Sequence, residues 1–402
     1  MVRRLVDEKY EKVELKLKIE RENEMKMDNP YSPARTEKLW YETDNVDEYD
    51  SPALFIYPEH IKYNILKLLE KVKAENIRPH VKTNKIAEVC KMMLDSGIKK
   101  FKAATIAEAE MLAMIQAPDI LLAYPPAGPK IKRLIRLIQK YPGSKFSCLA
   151  DNRETAHALS RLFAAADLKL GVFIDLNLGM NRTGTRPENV LKLFQQMISL
   201  PAIQVLGLHA YDGHIKDRDE KIRAEKCHQA FAQVLPLKKD MEKLAGYSMT
   251  LIAGGTPSCF IHAAAGDREC SPGTFIFWDK GYAEQLPEQP FEWAAILVCR
   301  IISIPAPDMI CVDLGYKSVA SENPQPRVYF LNAPEAIPTA HSEEHLVLKV
   351  PDAGKFKTGD VLYGVPWHVC PTVALFDKAY TVENNRVNGF WKVVARNREI
   401  TI

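Results

Sequence analysis

The chain has 402 residues, of which 47% are hydrophobic and 26% charged, and its 54 Lys and Arg residues against 51 Asp and Glu give a net charge of +3. So small an excess of positive charge argues against a nucleic-acid-binding protein or a polybasic membrane surface. No apolar run approaches the ~20 residues that span a bilayer, and the charged N-terminus lacks the apolar core of a secretory signal.

The first part of the chain is predicted to be an extension followed by a barrel. Residues 1–50 are polar and mixed in charge, which indicates a solvated or partly helical extension without chemistry. From Pro52 onward, β-rich runs alternate with amphipathic stretches whose apolar residues recur near the helical period. The predicted strands are 77–81, 100–104, 119–123, 145–150, 170–176, 205–210, 249–254 and 273–277. The predicted helical segments between them are 85–95, 107–116, 130–140, 155–165, 188–199 and 219–243.

Eight strands, nearly all followed by a helix, favour an α/β fold of the (β/α)8 barrel type over residues 51–285. A doubly wound open sheet is the alternative, and the absence of a GxGxxG turn argues against it. The run 52–57 precedes the first unit and could add a strand to the barrel. After Tyr282 the alternation stops, and residues 286–402 carry strand-like runs separated by Pro- and Gly-containing turns. We predict a separate C-terminal all-β domain there.

Polar residues and glycines cluster where the barrel strands end. Barrel enzymes carry their chemistry at the C-terminal ends of the strands. In this sequence those positions hold, among others, 80–83, 175–182, 209–211 and 254–256. This agreement between the barrel and its polar residues indicates an enzyme.

Lys82 follows the first predicted strand. At that position a lysine points into a half-buried pocket, where its amine can act as a nucleophile. The alternative is a lysine that extends into solvent from a strand end. On position alone, both interpretations stay open.

Two later loops are candidates for binding a phosphate. AGGTPS (253–258) leaves the seventh strand and opens a helix, and backbone N–H groups at such a junction bind phosphate. The next loop, 271–274, supplies further backbone donors, and barrels often carry a phosphate site after strands 7 and 8. An ordinary turn with a helix cap is the alternative. A phosphate cradle together with a lysine suggests pyridoxal 5′-phosphate as cofactor.

Five segments carry a resemblance to a known family: RPHVKT (78–83), FKAATIAEAE (101–110), GMNRTG (179–184), AGGTPS and SPGTFIF (271–277). The chain resembles the alanine racemase-like pyridoxal-phosphate enzymes, in particular their D-threonine aldolase and D-serine dehydratase branch. The resemblance implies that Lys82 forms the Schiff base with the cofactor. It also implies that the phosphate and the ring are held by Arg182, Tyr211, Gly255, Thr256, Gly273 and Thr274.

The motif PWHVCPT (366–372) also resembles that branch, which implies that His368 and Cys370 bind a divalent metal. In an extended chain, residues i and i+2 project from the same face. Imidazole with thiolate favours zinc over manganese or magnesium, although catalytic zinc usually has three protein ligands. Without the resemblance, an HxC motif in a β domain is more often a packing feature.

These features predict a metal-assisted lyase that acts on a D-3-hydroxy amino acid. The metal would bind the substrate β-hydroxyl, and His209 is the candidate base for its proton. Retro-aldol cleavage to glycine and an aldehyde is favoured by the overall pattern. Dehydration to a keto acid and ammonia is the alternative, because in this branch the aldolases carry Asp, and the dehydratases Cys, at the position of Cys370. An amino-acid racemase and a non-catalytic pyridoxal-phosphate-binding protein are further alternatives.

The remaining expectations concern assembly and location. The resemblance implies a homodimer whose partner molecules are small D-amino acid substrates, with no nucleic acid and no membrane. The eight cysteines are widely spread without a disulfide-like spacing, which indicates reduced thiols in a cytoplasmic protein.

Overall fold

A computed structural model describes residues 38–402, so the predicted extension up to residue 37 lies outside the described residues. Strands and helices are numbered separately in chain order, with β1 at Ala53–Ile56. Seven parallel strands form one sheet in sequential order. They are β2 (Lys100–Ala103), β3 (Asp119–Leu122), β4 (Lys145–Ala150), β5 (Leu170–Asn177), β6 (Ile203–Tyr211), β7 (Thr250–Ala253) and β8 (Glu269–Cys270).

The segment predicted as the first barrel strand closes this sheet, although it is not a regular strand. Ile77 makes a parallel bridge to Cys270 in β8, and His80 makes one to Lys102 in β2. Pro79 between them has no N–H to donate, and its carbonyl accepts a hydrogen bond from the Lys102 N–H at 2.9 Å. The edge strands are thus joined, and the barrel prediction is confirmed.

The predicted eighth strand, 273–277, is wrong. The last barrel strand is Glu269–Cys270, and Thr274–Ile276 form a 3-10 helix instead. The N–H groups of Gly273 and Thr274 both donate to the Thr256 hydroxyl at 3.1 Å, so they are not available to a strand ladder. The loop after β8 is therefore hydrogen-bonded to Thr256, on the loop after β7.

Each of the six predicted helical segments contains helix close to its predicted position. One predicted helix, 219–243, is split in two, because Pro236 has no N–H to donate to the carbonyl of Ala232. The helices are α1 (Pro58–Lys71), α2 (Ala87–Asp95), α3 (Ile106–Met114), α4 (Pro129–Lys140), α5 (Arg153–Ala165), α6 (Val190–Ile198), α7 (Glu220–Phe231), α8 (Val234–Ala245), α9 (Cys259–Ala265), α10 (Lys280–Gln285) and α11 (Val369–Val373). Among the described residues, no helix has both the length and the apolar character needed to cross a membrane.

A second sheet of nine strands is built mainly from the C-terminal part of the chain. Its C-terminal strands are β9 (Ala295–Ala306), β10 (Met309–Val312), β11 (Val328–Phe330), β12 (Ile337–His341), β13 (Leu346–Lys349), β14 (Val361–Pro366), β15 (Lys378–Glu383) and β16 (Arg386–Lys392). The ninth strand is β1, which pairs antiparallel with β9 and parallel with β15. The predicted strand at 52–57 is thus present, but it belongs to this sheet and not to the barrel.

The last residues of the predicted extension pack against the second sheet. Tyr41 is buried, and its carbonyl accepts a hydrogen bond from the Tyr57 hydroxyl at 2.8 Å. The Asp44 N–H donates to the carbonyl of Asn385, also at 2.8 Å. The expectation of a solvated segment therefore does not hold for residues 38–50.

A β-bulge orients the inward side chains of β6. The register between β5 and β6 shifts by one residue, from Val172 opposite Val205 to Phe173 opposite Gly207. Gly207 has a φ of +148°, and a Cβ there would lie 1.8 Å from the carbonyl oxygen of Thr250, so only glycine fits. Bulges re-aim the side chains that follow them. This one directs His209 into the barrel interior.

Candidate active site at the barrel mouth

The loops at the C-terminal ends of the barrel strands bring the predicted cofactor residues together. Lys82 is half-buried on the loop that follows the closing segment 77–81. Tyr211, at the end of β6, lies between two of the other predicted residues. The Arg182 guanidinium carbon is 5.1 Å from the centre of its ring, and a Cβ on Gly255 would lie 3.1 Å from its Cε2 atom.

The two predicted phosphate loops form one cradle. The Thr256 hydroxyl accepts hydrogen bonds from the N–H groups of Gly273 and Thr274, which links the loop after β7 to the loop after β8. A Cβ on Gly273 would lie 3.0 Å from the carbonyl oxygen of His80. Both Gly255 and Gly273 therefore sit where the backbone must approach its neighbours closely. Two glycine-containing loops that meet at one hydroxyl, in a space that side chains would fill, suit a phosphate group.

A buried aspartate stabilises the cradle loop that carries Gly255. Asp212 accepts a hydrogen bond from the Ser258 hydroxyl at 2.8 Å and lies 2.7 Å from His262 Nε2. Ser258 in turn accepts from the Gly255 N–H at 3.4 Å. With Cys227, Asp212 and His262 form a buried group whose ligand atoms are close enough to hold a metal ion. Burial raises the pKa of the Cys227 thiol, so that group stays neutral.

The predicted metal ligands lie beside the same pocket, but not in an extended chain. His368 precedes α11 and Cys370 lies in its first turn, where Pro371 needs no hydrogen-bond donor. The Cys370 thiol is 3.1 Å from the Thr83 hydroxyl and 3.5 Å from that of Thr274. Cys370 thus contacts the loops that carry Lys82 and the cradle.

The imidazole of His368 and the thiol of Cys370 shift each other's pKa. Burial alone would lower the pKa of His368, but hydrogen bonds with Cys370 and Glu322 raise that pKa to about 9. Burial would raise the pKa of Cys370, but the hydrogen bond and charge of His368 hold it below its ordinary value. A thiol that readily loses its proton next to an imidazole is a donor set that suits zinc.

Asp279 fixes the start of α11. Its Oδ2 atom accepts a hydrogen bond from the Val369 N–H at 3.1 Å, and its Oδ1 atom accepts one from the Tyr282 N–H at 2.8 Å. Burial raises the pKa of this carboxyl group to about 6. Asp279 therefore ties the helix that carries Cys370 to the barrel-side helix α10.

His209 lies deeper than its predicted role requires. It is 4% exposed, its Nδ1 atom is 2.6 Å from Asp175 Oδ1, and its Nε2 atom is 3.3 Å from Lys102 Nζ. Burial, and then the charge of Lys102, lower the pKa of His209. Both ring nitrogens therefore have partners inside the barrel. The role of His209 as the base for a substrate hydroxyl stays a prediction.

Sequence reasoning missed two residues of this region. Lys102 lies within the motif FKAATIAEAE (101–110) but is not among the predicted site residues, although its alternation with Phe101 in β2 marks it as a polar residue within a strand. His214 follows β6 on the same loop as Tyr211 and is exposed. Its Nε2 atom lies 3.1 Å from where a Cβ of Gly179 would be, beside the loop that carries Arg182. The rule that selected His209, a polar residue near a strand end, also selects His214.

Comparison with known proteins identifies relatives over most of the chain. Residues 56–280 match the family model of the alanine racemase N-terminal domain, and residues 294–382 match that of a putative serine dehydratase domain. D-threonine aldolase from Arthrobacter sp. is 31% identical over 80% of this chain and 85% of its own. 3-Hydroxy-D-aspartate aldolase from Paracoccus denitrificans (strain Pd 1222) is 27% identical over 87% and 93%. The crystal structure of D-threonine aldolase from Filomicrobium marinum superimposes with a TM-score of 0.79 at 24% identity, covering 86% of this chain and 95% of that one.

A bulky residue in place of Gly255 should weaken cofactor binding. The added Cβ of Gly255→Val meets the Tyr211 ring at 3.1 Å, so the ring or the loop must move. Overpacking of this kind costs about 1–3 kcal/mol, and we expect affinity for pyridoxal phosphate to fall about tenfold or more. Fluorescence titration of the apoprotein measures it. Gly143→Val is the matched control, because nothing lies within 4 Å of the Cβ position there. Equal affinity in both variants would place the phosphate elsewhere.

Proposed function

Since the chain belongs to the D-threonine aldolase and D-serine dehydratase branch of the alanine racemase-like family, we propose that it cleaves a D-3-hydroxy amino acid to glycine and an aldehyde. It is a lyase, as its relatives are. One observation supports the proposal beyond the family: Cys370, one of the two proposed metal ligands, contacts Thr83 of the lysine loop and Thr274 of the phosphate cradle. This combination fits an enzyme that needs both groups at one substrate.

Pyridoxal phosphate fits the residues at the barrel mouth. Lys82 would carry it covalently, the loops that hold Gly255, Thr256, Gly273 and Thr274 would surround its phosphate, and Tyr211 and Arg182 would border its ring. When bound, this cofactor supplies an electron sink for the pair of electrons left at the substrate α-carbon. The protein supplies position: the cradle is linked across two loops, which fixes the cofactor relative to Lys82.

His368 and Cys370 would hold a divalent metal, for which zinc is the proposed identity. A bound metal lowers the pKa of a hydroxyl group that it coordinates, which favours loss of the proton from the substrate β-hydroxyl. Glu322 hydrogen-bonds the Nδ1 atom of His368 and so orients the imidazole. Two protein ligands leave room for the substrate and solvent.

The proton of the β-hydroxyl needs an acceptor, for which we compare two histidines. His209 is the sequence-based candidate, but Lys102 and Asp175 flank its ring nitrogens. His214 is exposed three residues after Tyr211, and its Nε2 atom lies 3.1 Å from the Cβ position of Gly179. The comparison of His209→Asn with His214→Asn decides between them: the variant of the true base should lose turnover with little change in cofactor affinity.

Dehydration is the second candidate function, and one observation favours it. The metal-ligand position holds Cys370, the residue type expected of the dehydratases, within a segment that matches a putative serine dehydratase domain. Cleavage remains favoured because the D-threonine aldolase and the 3-hydroxy-D-aspartate aldolase are 31% and 27% identical to the chain over most of its length.

One assay separates the two reactions. The protein is supplied with pyridoxal phosphate and zinc or manganese, and offered D-threonine, D-serine and D-3-hydroxyaspartate. We expect glycine and an aldehyde from D-threonine, measured by amino-acid analysis and aldehyde trapping. Keto acid and ammonia would favour the dehydratase instead. L-Threonine is the control, and interconversion of the two enantiomers would indicate a racemase. Cofactor binding without any product would indicate the non-catalytic alternative.

A cytoplasmic location and a homodimer are the accompanying proposals. The eight cysteines, all free thiols and seven of them buried, are consistent with a reducing compartment. Size-exclusion chromatography with light scattering tests the homodimer, for which twice the chain mass of 45.5 kDa is expected.

A further inference from the structure

A lysine without a role in the proposed reaction lies beneath the cofactor pocket. Lys102 is on β2 inside the barrel, with 2% of its surface exposed. Its Nζ atom lies 5.4 Å from the centre of the Tyr211 ring, and Tyr211 also borders Arg182 and Gly255. The amine is therefore buried but lies next to residues that line the pocket.

A hydrogen-bonded chain connects this amine to a carboxylate. Asp175 Oδ1 lies 2.6 Å from His209 Nδ1, so that nitrogen carries the ring proton and donates it. The Nε2 atom of the neutral ring then has a lone pair, which accepts from Lys102 Nζ at 3.3 Å. The other Asp175 oxygen accepts from the Thr183 hydroxyl at 2.8 Å, on the loop that carries Arg182. Each member of the chain is thus held in one orientation.

Of the charged groups around Lys102, Arg78, Lys82 and Arg182 are positive and Asp175 is negative. The titratable and charged groups around it are His80, Arg78 and Lys82 from the closing segment and its loop, Asp175 from β5, Arg182 from the following loop, and His209 and Tyr211 from β6. Burial, and then the charge of Lys82, lower the pKa of Lys102 to about 7, although Asp175 opposes them. The amine can therefore gain and lose a proton near neutral pH.

A purely structural role does not account for this arrangement. An ammonium group has three donors, and in the part of the chain that the structure describes His209 is its single hydrogen-bond partner. Burying such a group with unused donors costs free energy that an apolar side chain at this position would not. Leu121, Leu149, Phe173 and Ile252 form an apolar cluster in neighbouring strands, where a methionine would be compatible.

Resting on the function proposed above, we propose that Lys102 is a further residue of the cofactor site. Its buried amine, next to Tyr211, exchanges a proton with solvent while the cofactor is bound. His209 and Asp175 act as positioning residues, because they hold the amine through the hydrogen-bonded chain. The charge that the protein presents to the cofactor then depends on whether Lys102 is protonated.

The test follows the visible absorbance of the bound cofactor as the pH is changed through neutrality. Wild type should show a step near neutral pH. Lys102→Met should abolish the step, and Lys102→Arg should also remove it from the neutral range, because a guanidinium stays charged. His209→Gln should move it by about one pH unit. Lys100→Met is the matched control, because Lys100 lies on the same strand but contacts Glu269 at the opposite end of the barrel.

The possible outcomes separate this inference from the proposed function. If the wild-type protein takes up no pyridoxal phosphate, the proposed function fails and this inference with it. If it takes up the cofactor, but Lys102→Met has the same absorbance step and the same affinity as wild type, Lys102 is not part of the site. Should the methionine variant misfold, Lys102→Arg decides alone, because it keeps the charge that faces Asp175.

Discussion

Lys82→Ala should lose the covalent link to the cofactor and at least about a thousandfold of the lyase rate, ~4 kcal/mol in the barrier. Lys82 is half-buried, the hydroxyl of its neighbour Thr83 lies 3.2 Å from the Cβ position of Gly273 in the cradle, and its amine is the proposed attachment point. Borohydride reduction of the wild-type protein followed by peptide mapping should place the pyridoxyl label on Lys82. The phosphate loops do not involve this side chain, so the variant should still bind the cofactor non-covalently.

Two controls make the result specific. Lys82→Arg keeps the positive charge but cannot form the link, and it should lose as much activity as Lys82→Ala. Lys85, one turn further on, forms an ion pair with the buried Glu108 and faces away from the cradle. A label found on Lys85 instead of Lys82 would overturn the assignment.

His368→Ala and Cys370→Ala should each lower lyase activity by about a hundredfold or more, while the cofactor spectrum stays as in wild type. The reason is that the cradle and Lys82 hold the cofactor through other elements than β14 and α11. Chelation of the wild-type protein should have the same effect as either substitution, and added metal should restore the wild type but not the variants. Metal analysis of the purified proteins measures the loss directly.

Cys311→Ala is the control variant that tests whether removal of any cysteine lowers the activity. Cys311 is a buried free thiol on β10, in the second sheet, and its removal should change neither metal content nor turnover. Cys370→Asp is the informative variant, because a harder ligand should shift the preference from zinc toward manganese or magnesium. Full activity of chelated protein with no detectable metal would exclude the metal from the reaction.

The sequence predicted the barrel well because its signals are local. The alternation of β-rich and amphipathic runs located β2 to β7 and the helices between them. The eighth strand has two residues, Glu269 and Cys270, which is too short for any periodicity to register. Polar residues at the strand ends, together with the family resemblance, then selected the pocket that the loops assemble.

What the sequence could not predict depends on distant contacts. The apolar run Ala53–Ile56 suits any buried strand, and only its pairing with β9 and β15 places it in the second sheet. The i, i+2 spacing of His368 and Cys370 suits an extended chain, but Pro371 is compatible with the first turn of α11, where Cys370 lies. The burial of Lys102 depends on barrel closure and on the direction that the bulge at Gly207 gives to His209.

The position of β1 has a consequence for how the protein is made. A ribosome synthesises Ala53–Ile56 about 240 residues before the partner strand that begins at Ala295. At bacterial and eukaryotic rates that interval lasts roughly 10–50 s. During this time the apolar segment Ala53–Ile56 lacks its partner strands β9 and β15. The barrel residues that follow it can already fold. We expect ribosome-associated chaperones to hold this segment, and an expressed fragment that starts at residue 286 to aggregate because its sheet lacks an inner strand.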